Sequence, residues 1–171
     1  MFTQGISFKN FLIKKKNLVV KKKLNLILNE KNQVIGSLSK SYKDNFNKKN
    51  IKHFNKKADY RIIGMGGSTL GSQAIYDFLK KKIKKKFIFV DNLNAFKNKK
   101  TKKNLNNLII SKSGNTTETI VNANILIKKK DKNLFITEKK ESYLSLLAKK
   151  LKAEVVDHNN YIGGRYSVLS E

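Results

Sequence analysis

The sequence predicts an α/β domain: five short parallel strands in a doubly wound sheet with helices on both faces. Three observations carry this expectation. From Tyr60 onward, short apolar runs alternate with stretches of helical periodicity. Runs rich in Gly, Ser and Thr fall at the C-terminal ends of the first and third apolar runs, where ligands sit in open parallel sheets. The chain has 171 residues, 39% of them apolar, enough for one buried core.

The elements follow in order. "YRIIGM" is the first expected strand, ending in glycine. "TLGSQAIYDFLKKKI" follows as a helix, with Leu70, Ala74, Ile75, Phe78, Leu79 and Ile83 on one face. "KFIFVD" is the second strand, and "KTKKNLNN" has room for a short helix before the third strand, "NLIISKSG". "TTETIVNANILIKK" is the second strong helix, "NLFIT" the fourth strand, "EKKESYLSLLAKKLK" the third helix and "AEVVDH" the fifth strand. Residues 1–57 form a separate, basic region. Val34, Ile35 and Leu38 suggest a helix near residues 30–40, "NLVV" and "LNLIL" fit helix or strand alike, and "KDNFNKKNIKHFNKKADY" reads as a polar connection.

The formal charge of +26 invites a nucleic-acid reading. Three features argue against it. Only Arg61 and Arg165 among the 38 basic residues are arginines, and nucleic-acid surfaces favour arginine for its fork of donors. The lysines are spread along the chain. Proline is absent while asparagine is abundant, a compositional drift that affects the whole sequence. The charge therefore reads as solvated surface. Cysteine is absent, which removes disulfides and thiolate metal sites. No apolar run approaches the ~18 residues of a membrane span, and the first residues lack the apolar core of a secretory signal, so the expected compartment is the cytoplasm.

Three motifs carry the chemistry. In "GMGGSTLG", Gly64 to Gly71, glycines between strand and helix let the backbone approach an anion closely. It departs from the dinucleotide fingerprint, because Thr69 stands where the third glycine belongs, although Asp91 at the end of the next strand keeps a ribose contact open. No Gly-Lys-Ser/Thr follows, so it is not a P-loop. In "SKSGNTTET", Ser111, Ser113, Thr116 and Thr117 offer hydroxyls around a turn and Lys112 offers a charge. Thr116 or Thr117 also suits a helix N-cap, with Glu118 or Thr119 favouring the helix start, and the same N–H groups serve an anion. In "GGRYSVLSE", Arg165 follows two glycines; a chain that uses lysine almost everywhere has an arginine here, the side chain that binds an oxyanion with two parallel donors.

"GMGGSTLGSQAI", "SKSGNTTET" and "GGRYSVLS", in this order, resemble the glucose-6-phosphate isomerase family over about residues 58 to 171. The middle motif is shared with sugar isomerase (SIS) domains in general, including those of aminotransferases and transcriptional regulators. The lysine after the first serine and the terminal "GGRYS" favour the isomerase. The resemblance implies a cofactor-free and metal-free SIS-type sheet that interconverts glucose 6-phosphate and fructose 6-phosphate, and a homodimer in the full-length protein. It also implies that Ser111, Ser113 and Thr116 hold the phosphate with Lys112 nearby, and that Gly67 and Ser68 line the sugar side. Arg165 would stabilise the cis-enediolate. The family's general base, a glutamate, and the His and Lys of ring opening lie C-terminal to "GGRYS", so the chain reads as a fragment that stops before the second SIS domain and is inactive alone. Glu118, Glu171 and His158, which follows Asp157, match none of these. The alternatives are a non-catalytic phosphosugar-binding module of a regulator, for which residues 1–57 hold no convincing helix-turn-helix, and a basic nucleic-acid binder.

Overall fold

A computed structural model describes residues 17–37, 39, 41–43, 52–55, 58–93 and 105–167. The chain divides into two compact units, residues 1–39 and 40–171. In the first, the ambiguous apolar stretches form one helix, α1 (Leu18–Asn29), whose N-cap Asn17 accepts hydrogen bonds from the N–H groups of Val19 and Val20. A short helix, α2 (Gln33–Gly36), follows, capped by Asn32.

The second unit is built on five parallel strands: β1 (Asp59–Gly64), β2 (Phe87–Val90), β3 (Leu105–Ile110), β4 (Lys132–Glu138) and β5 (Glu154–His158). Their order in the sheet is β2-β1-β3-β4-β5, every neighbour pair parallel. Three helices connect them: α3 (Gly67–Leu79), α4 (Thr117–Leu126) and α5 (Tyr143–Leu151). The doubly wound five-stranded sheet is therefore as the alternating pattern predicts.

Register explains the core. Ile63, Ile109 and Phe135 lie side by side across β1, β3 and β4. All three are fully buried, and with Ala123 of α4 and Leu144 and Ala148 of α5 they form one apolar cluster. The alternate residues face the other way, where Tyr60, Leu134 and Val156 cluster with Phe54. On that side Tyr76 of α3 packs its ring 5.1 Å from Phe87 and 6.0 Å from Phe89.

Two expectations need correction. Leu105 and Asn106, where the sequence left room for a short helix, already belong to β3, which ends at Ile110; residues 100–104 lie outside the described residues. Asn106 and Asn107 are buried there with partners for their amide N–H groups: Asn107 donates to Asn133 Oδ1 at 2.8 Å and Asn106 to Phe54 O at 3.5 Å, while Asn107 Oδ1 has no hydrogen-bond partner among the described residues. The second correction is α3. Its buried residues are Thr69 and Gly71, whereas Leu70, Ile75 and Phe78 are exposed, Phe78 to 87%. The helix ends at Leu79, so Ile83 lies beyond it. The helix rests on the sheet through small residues and Tyr76, a contact that hydropathy periodicity does not register.

Arg61 is also structural. Its side chain is 5% exposed on β1, and Nη1 donates to Leu126 O, at the end of α4, at 2.8 Å. Burial lowers its pKa and the nearby Asp131 carboxylate partly restores it.

Candidate functional site

Strand order reverses between β1 and β3, and in sheets of this kind the crevice beyond the strand C-termini at such a reversal is where ligands sit. β1 leads into the first motif and β3 into the second. A cleft at this edge is lined by Gly67, Ser68, Ser72, Ile110, Lys112, Ile136, His158 and Ser167. All three motifs therefore contribute: Gly67 and Ser68 from the first, Lys112 from the second, Ser167 from the third.

The first and third motifs touch through backbone. Gly67 opens α3, and a Cβ built there would overlap the carbonyl oxygen of Gly164 and lie 3.0 Å from its carbonyl carbon. Only glycine lets the 3-10 turn Gly164–Ser167 sit against the start of α3. Ser167 Oγ closes that turn by donating to Gly164 O at 2.9 Å. Arg165 lies in the same turn; its side chain, like Glu171, is outside the described part of the structure.

The hydroxyls of the second motif largely organise their own turn. Ser111 is 2% exposed; its Oγ lies 3.0 Å from Thr116 Oγ1 and accepts from the Gly114 N–H at 3.2 Å. Ser113 Oγ accepts from the Asn115 N–H at 3.2 Å. Gly114 has φ +67°, and a Cβ there would overlap Ser142 Oγ and lie 2.9 Å from Thr137 Oγ1. The turn is thus pinned between the end of β4 and the start of α5, and Gly114 O accepts from the Leu144 N–H at 3.0 Å. Thr116 is the N-cap of α4 but makes no side-chain cap bond. Ser113 and Thr116 remain half-buried, and Glu118 lies in the first turn of α4. Of this motif Lys112 alone is among the residues lining the cleft.

Lys112 is held by the end of β4. Its carbonyl accepts from the Glu138 N–H at 3.0 Å and from Thr137 Oγ1 at 3.2 Å. Its ammonium stands 3.4 Å from Glu138 Oε1, and Lys140 Nζ stands 2.6 Å from Oε2 of the same carboxylate. Burial alone would raise the Glu138 pKa, but hydrogen bonds and charge from Lys140 and then Lys112 outweigh it and hold the carboxyl below its ordinary value. Glu138 escapes a motif search because it belongs to none; the register does find it, since Ile136 pairs with Ile110 two residues before each partner.

His158, which matches no catalytic histidine of the family, is buried at the end of β5 and forms part of the cleft wall. Its Nε2 lies 3.0 Å from Ile162 O, and since a carbonyl only accepts, the ring donates from Nε2. Asp157 is exposed beside it. Asp91 accepts from the Asn92 side chain at 3.3 Å and is not among the cleft residues. Among the described residues no group of three or more His, Cys, Asp or Glu is placed to hold a metal ion.

Sheet order, helix placement and a cleft of glycine, hydroxyl and lysine at the switch point define an α/β domain of the sugar-isomerase type. The same fold occurs in tagatose-6-phosphate ketose/aldose isomerase from Escherichia coli, with a TM-score of 0.53 and 17% identity over 90% of this chain and 40% of that one. The model of the family "Phosphoglucose isomerase" matches residues 14–171, and the chain belongs to that family. The match reaches into the basic N-terminal region, well before the first motif. Glucose-6-phosphate isomerase of Methanocaldococcus jannaschii is 36% identical over 152 residues, 81% of this chain and 36% of the relative. That of Borrelia garinii subsp. bavariensis is 32% identical over 141 residues, 71% of this chain and 27% of the relative. The chain thus spans about a third or less of the length of the curated relatives it matches.

Proposed function

We propose that this chain provides the first phosphosugar-binding domain of a glucose-6-phosphate isomerase, which interconverts glucose 6-phosphate and fructose 6-phosphate. The observation that carries the reading is the cleft at the β1/β3 reversal, where a member of the phosphoglucose isomerase family gathers residues of all three motifs.

The phosphate sits at the start of α4, where backbone N–H groups and the helix dipole favour negative charge. Half-buried Ser113 and Thr116 face it, with the Lys112 charge nearby. Ser111, buried behind them, braces the Thr116 hydroxyl and completes the hydroxyl set of the turn. Gly67 and Ser68 line the sugar. Isomerisation moves a proton between C1 and C2, and negative charge grows on O1 and O2 as it leaves. Arg165, whose backbone lies in a turn packed against Gly67, is the residue assigned to that charge, which a guanidinium can stabilise. No residue of the 171 corresponds to the family's general base or its ring-opening pair, so this stretch alone binds without turning over. The full-length enzyme works as a cytoplasmic homodimer; no helix among the described residues is long and apolar enough to cross a membrane.

Calorimetric titration of the 171-residue chain with fructose 6-phosphate, with fructose as control, tests the reading. Phosphate-dependent binding is expected, and Ser113→Ala with Thr116→Ala should weaken it by a loss of ~1.5–3 kcal/mol per charge-assisted bond. Equal affinity in the double variant would put the phosphate elsewhere.

A further inference from the structure

A carboxylate paired with a lysine of the proposed phosphosugar cleft needs a reason. The chain has 12 acidic residues against 38 basic ones, and Glu138 sits beside Lys112, which lines the cleft. Its negative charge opposes an incoming phosphate, so its place there is a cost unless it does something for Lys112.

The surroundings show what it does. The Glu138 side chain is 11% exposed and its carboxylate stands between two ammonium groups, with Lys140 close on Oε2 and Lys112 looser on Oε1. Lys140 already provides a counter-charge for a largely buried carboxylate, so the Lys112 contact is not needed to neutralise it. Lys112 is constrained at each part of its length. Its carbonyl is bonded by Thr137 and Glu138. Its stem and ammonium lie against Gly163, where a Cβ would stand 2.7 Å from Nζ and 3.1 Å from Cδ. Its charge is met by Glu138. A free lysine spreads over many rotamers, and in a chain of this net charge other ammonium groups repel it.

We propose that Glu138 is a positioning residue for phosphosugar binding: it fixes the Lys112 ammonium across Gly163 at the cleft, beside the "GGRYS" turn. This rests on the functional reading above and adds to it a residue outside the three motifs. Glu138 does not touch the ligand; it acts through Lys112. Gly163 is part of the same device, because any side chain there would take the space of the lysine.

Two measurements on the 171-residue chain test it. The first follows the Glu138 carboxyl carbon by NMR through an acid titration. In Lys112→Met its midpoint should rise, because one of the two ammonium groups that lower it is gone; an unchanged midpoint overturns the proposal whether or not any sugar binds. The second is a double-variant cycle with fructose 6-phosphate. Glu138→Gln should weaken binding roughly five- to tenfold, and in the Lys112→Met background the same change should alter affinity by less than about twofold. An equal loss in both backgrounds would make Glu138 a general structural residue and overturn the proposal, as would no loss in the unsubstituted background. If Glu138→Gln does not fold, the Lys112→Met titration decides alone. Failure of the unsubstituted chain to bind fructose 6-phosphate would overturn the functional reading instead, and the titration would still decide the Lys112–Glu138 pairing.

Discussion

Gly67→Ala separates the shape of the cleft from the stability of the sheet. The added Cβ would overlap the Gly164 carbonyl oxygen and stand 3.0 Å from its carbon, while ordinary contacts begin at 3.4 Å. Both partners are backbone, so no side chain can swing aside. The Gly164–Ser167 turn must retreat by roughly 1 Å to restore normal contact. Ser167 and Arg165 travel with it, one lining the cleft and the other assigned to the developing charge. For stability the terms oppose each other. Overpacking costs ~1–3 kcal/mol, and alanine at a helical position recovers ~0.5–1 kcal/mol relative to glycine. The net loss should be below about 2.5 kcal/mol in urea unfolding. Fructose 6-phosphate affinity, measured by calorimetry, should fall at least about tenfold, since ångström displacements in such sites are costly. Gly36→Ala, where a Cβ meets nothing within 4 Å, is the control. Unchanged affinity in Gly67→Ala would refute the idea that this close approach shapes the cleft.

Three further outcomes are expected. Arg61→Met keeps the stem but leaves Leu126 O without its donor, and should lower unfolding stability by ~1–3 kcal/mol; a neutral result would mean the bond is replaced by water. Phe78→Ser should change stability by less than about 0.5 kcal/mol in urea, and a loss above that would show that the 87% exposed ring is covered in solution. The Glu138 carboxyl lies below its ordinary 4.5 in the folded state, so its stabilisation is complete above that value and is lost as pH falls through the lowered one. Urea midpoints of the unsubstituted chain and Glu138→Gln should therefore converge on acidification, and a constant gap would place the coupling elsewhere.

The fold was legible because backbone periodicity and sheet burial agree. Strands buried on both faces read as short apolar runs, and each of the five expected runs overlaps an observed strand. The failures have physical causes. "NLNN" reads as a poor strand because asparagine is disfavoured there, yet the Asn107 amide donates to Asn133 Oδ1 across β3 and β4, and the Asn133 amide donates to the Lys128 and Asp131 carbonyls. On α3 the most apolar face was taken for the buried one. The helix is instead placed by glycine: Gly64 and Gly67 approach backbone closely at its start, and Thr69 and Gly71 are buried behind them. Close packing by small residues leaves no trace in a hydrophobicity pattern.

The site shows the same asymmetry between what motifs reveal and what geometry decides. The hydroxyl count of "SKSGNTTET" pointed to an anion, but hydroxyls also hold turns, and here the Ser111 side chain is spent on Thr116 and Gly114. Sequence spacing cannot tell an accessible hydroxyl from one that braces its neighbour; burial distinguishes Ser111, 2% exposed, from half-buried Ser113 and Thr116. Glycine carries the reverse lesson. Gly67 looked like an approach point for an anion, yet it, Gly114 and Gly163 are each required because another part of the protein occupies the space of the missing side chain: the Gly164 backbone, Ser142 and Lys112. The third motif is therefore needed to explain Gly67 of the first, and Lys112 of the second to explain Gly163 of the third. This accounts physically for why three individually weak signatures become specific in combination: they are three sides of one packed junction, and a chain that kept one without the others would leave a hole or a clash at the switch point of its sheet.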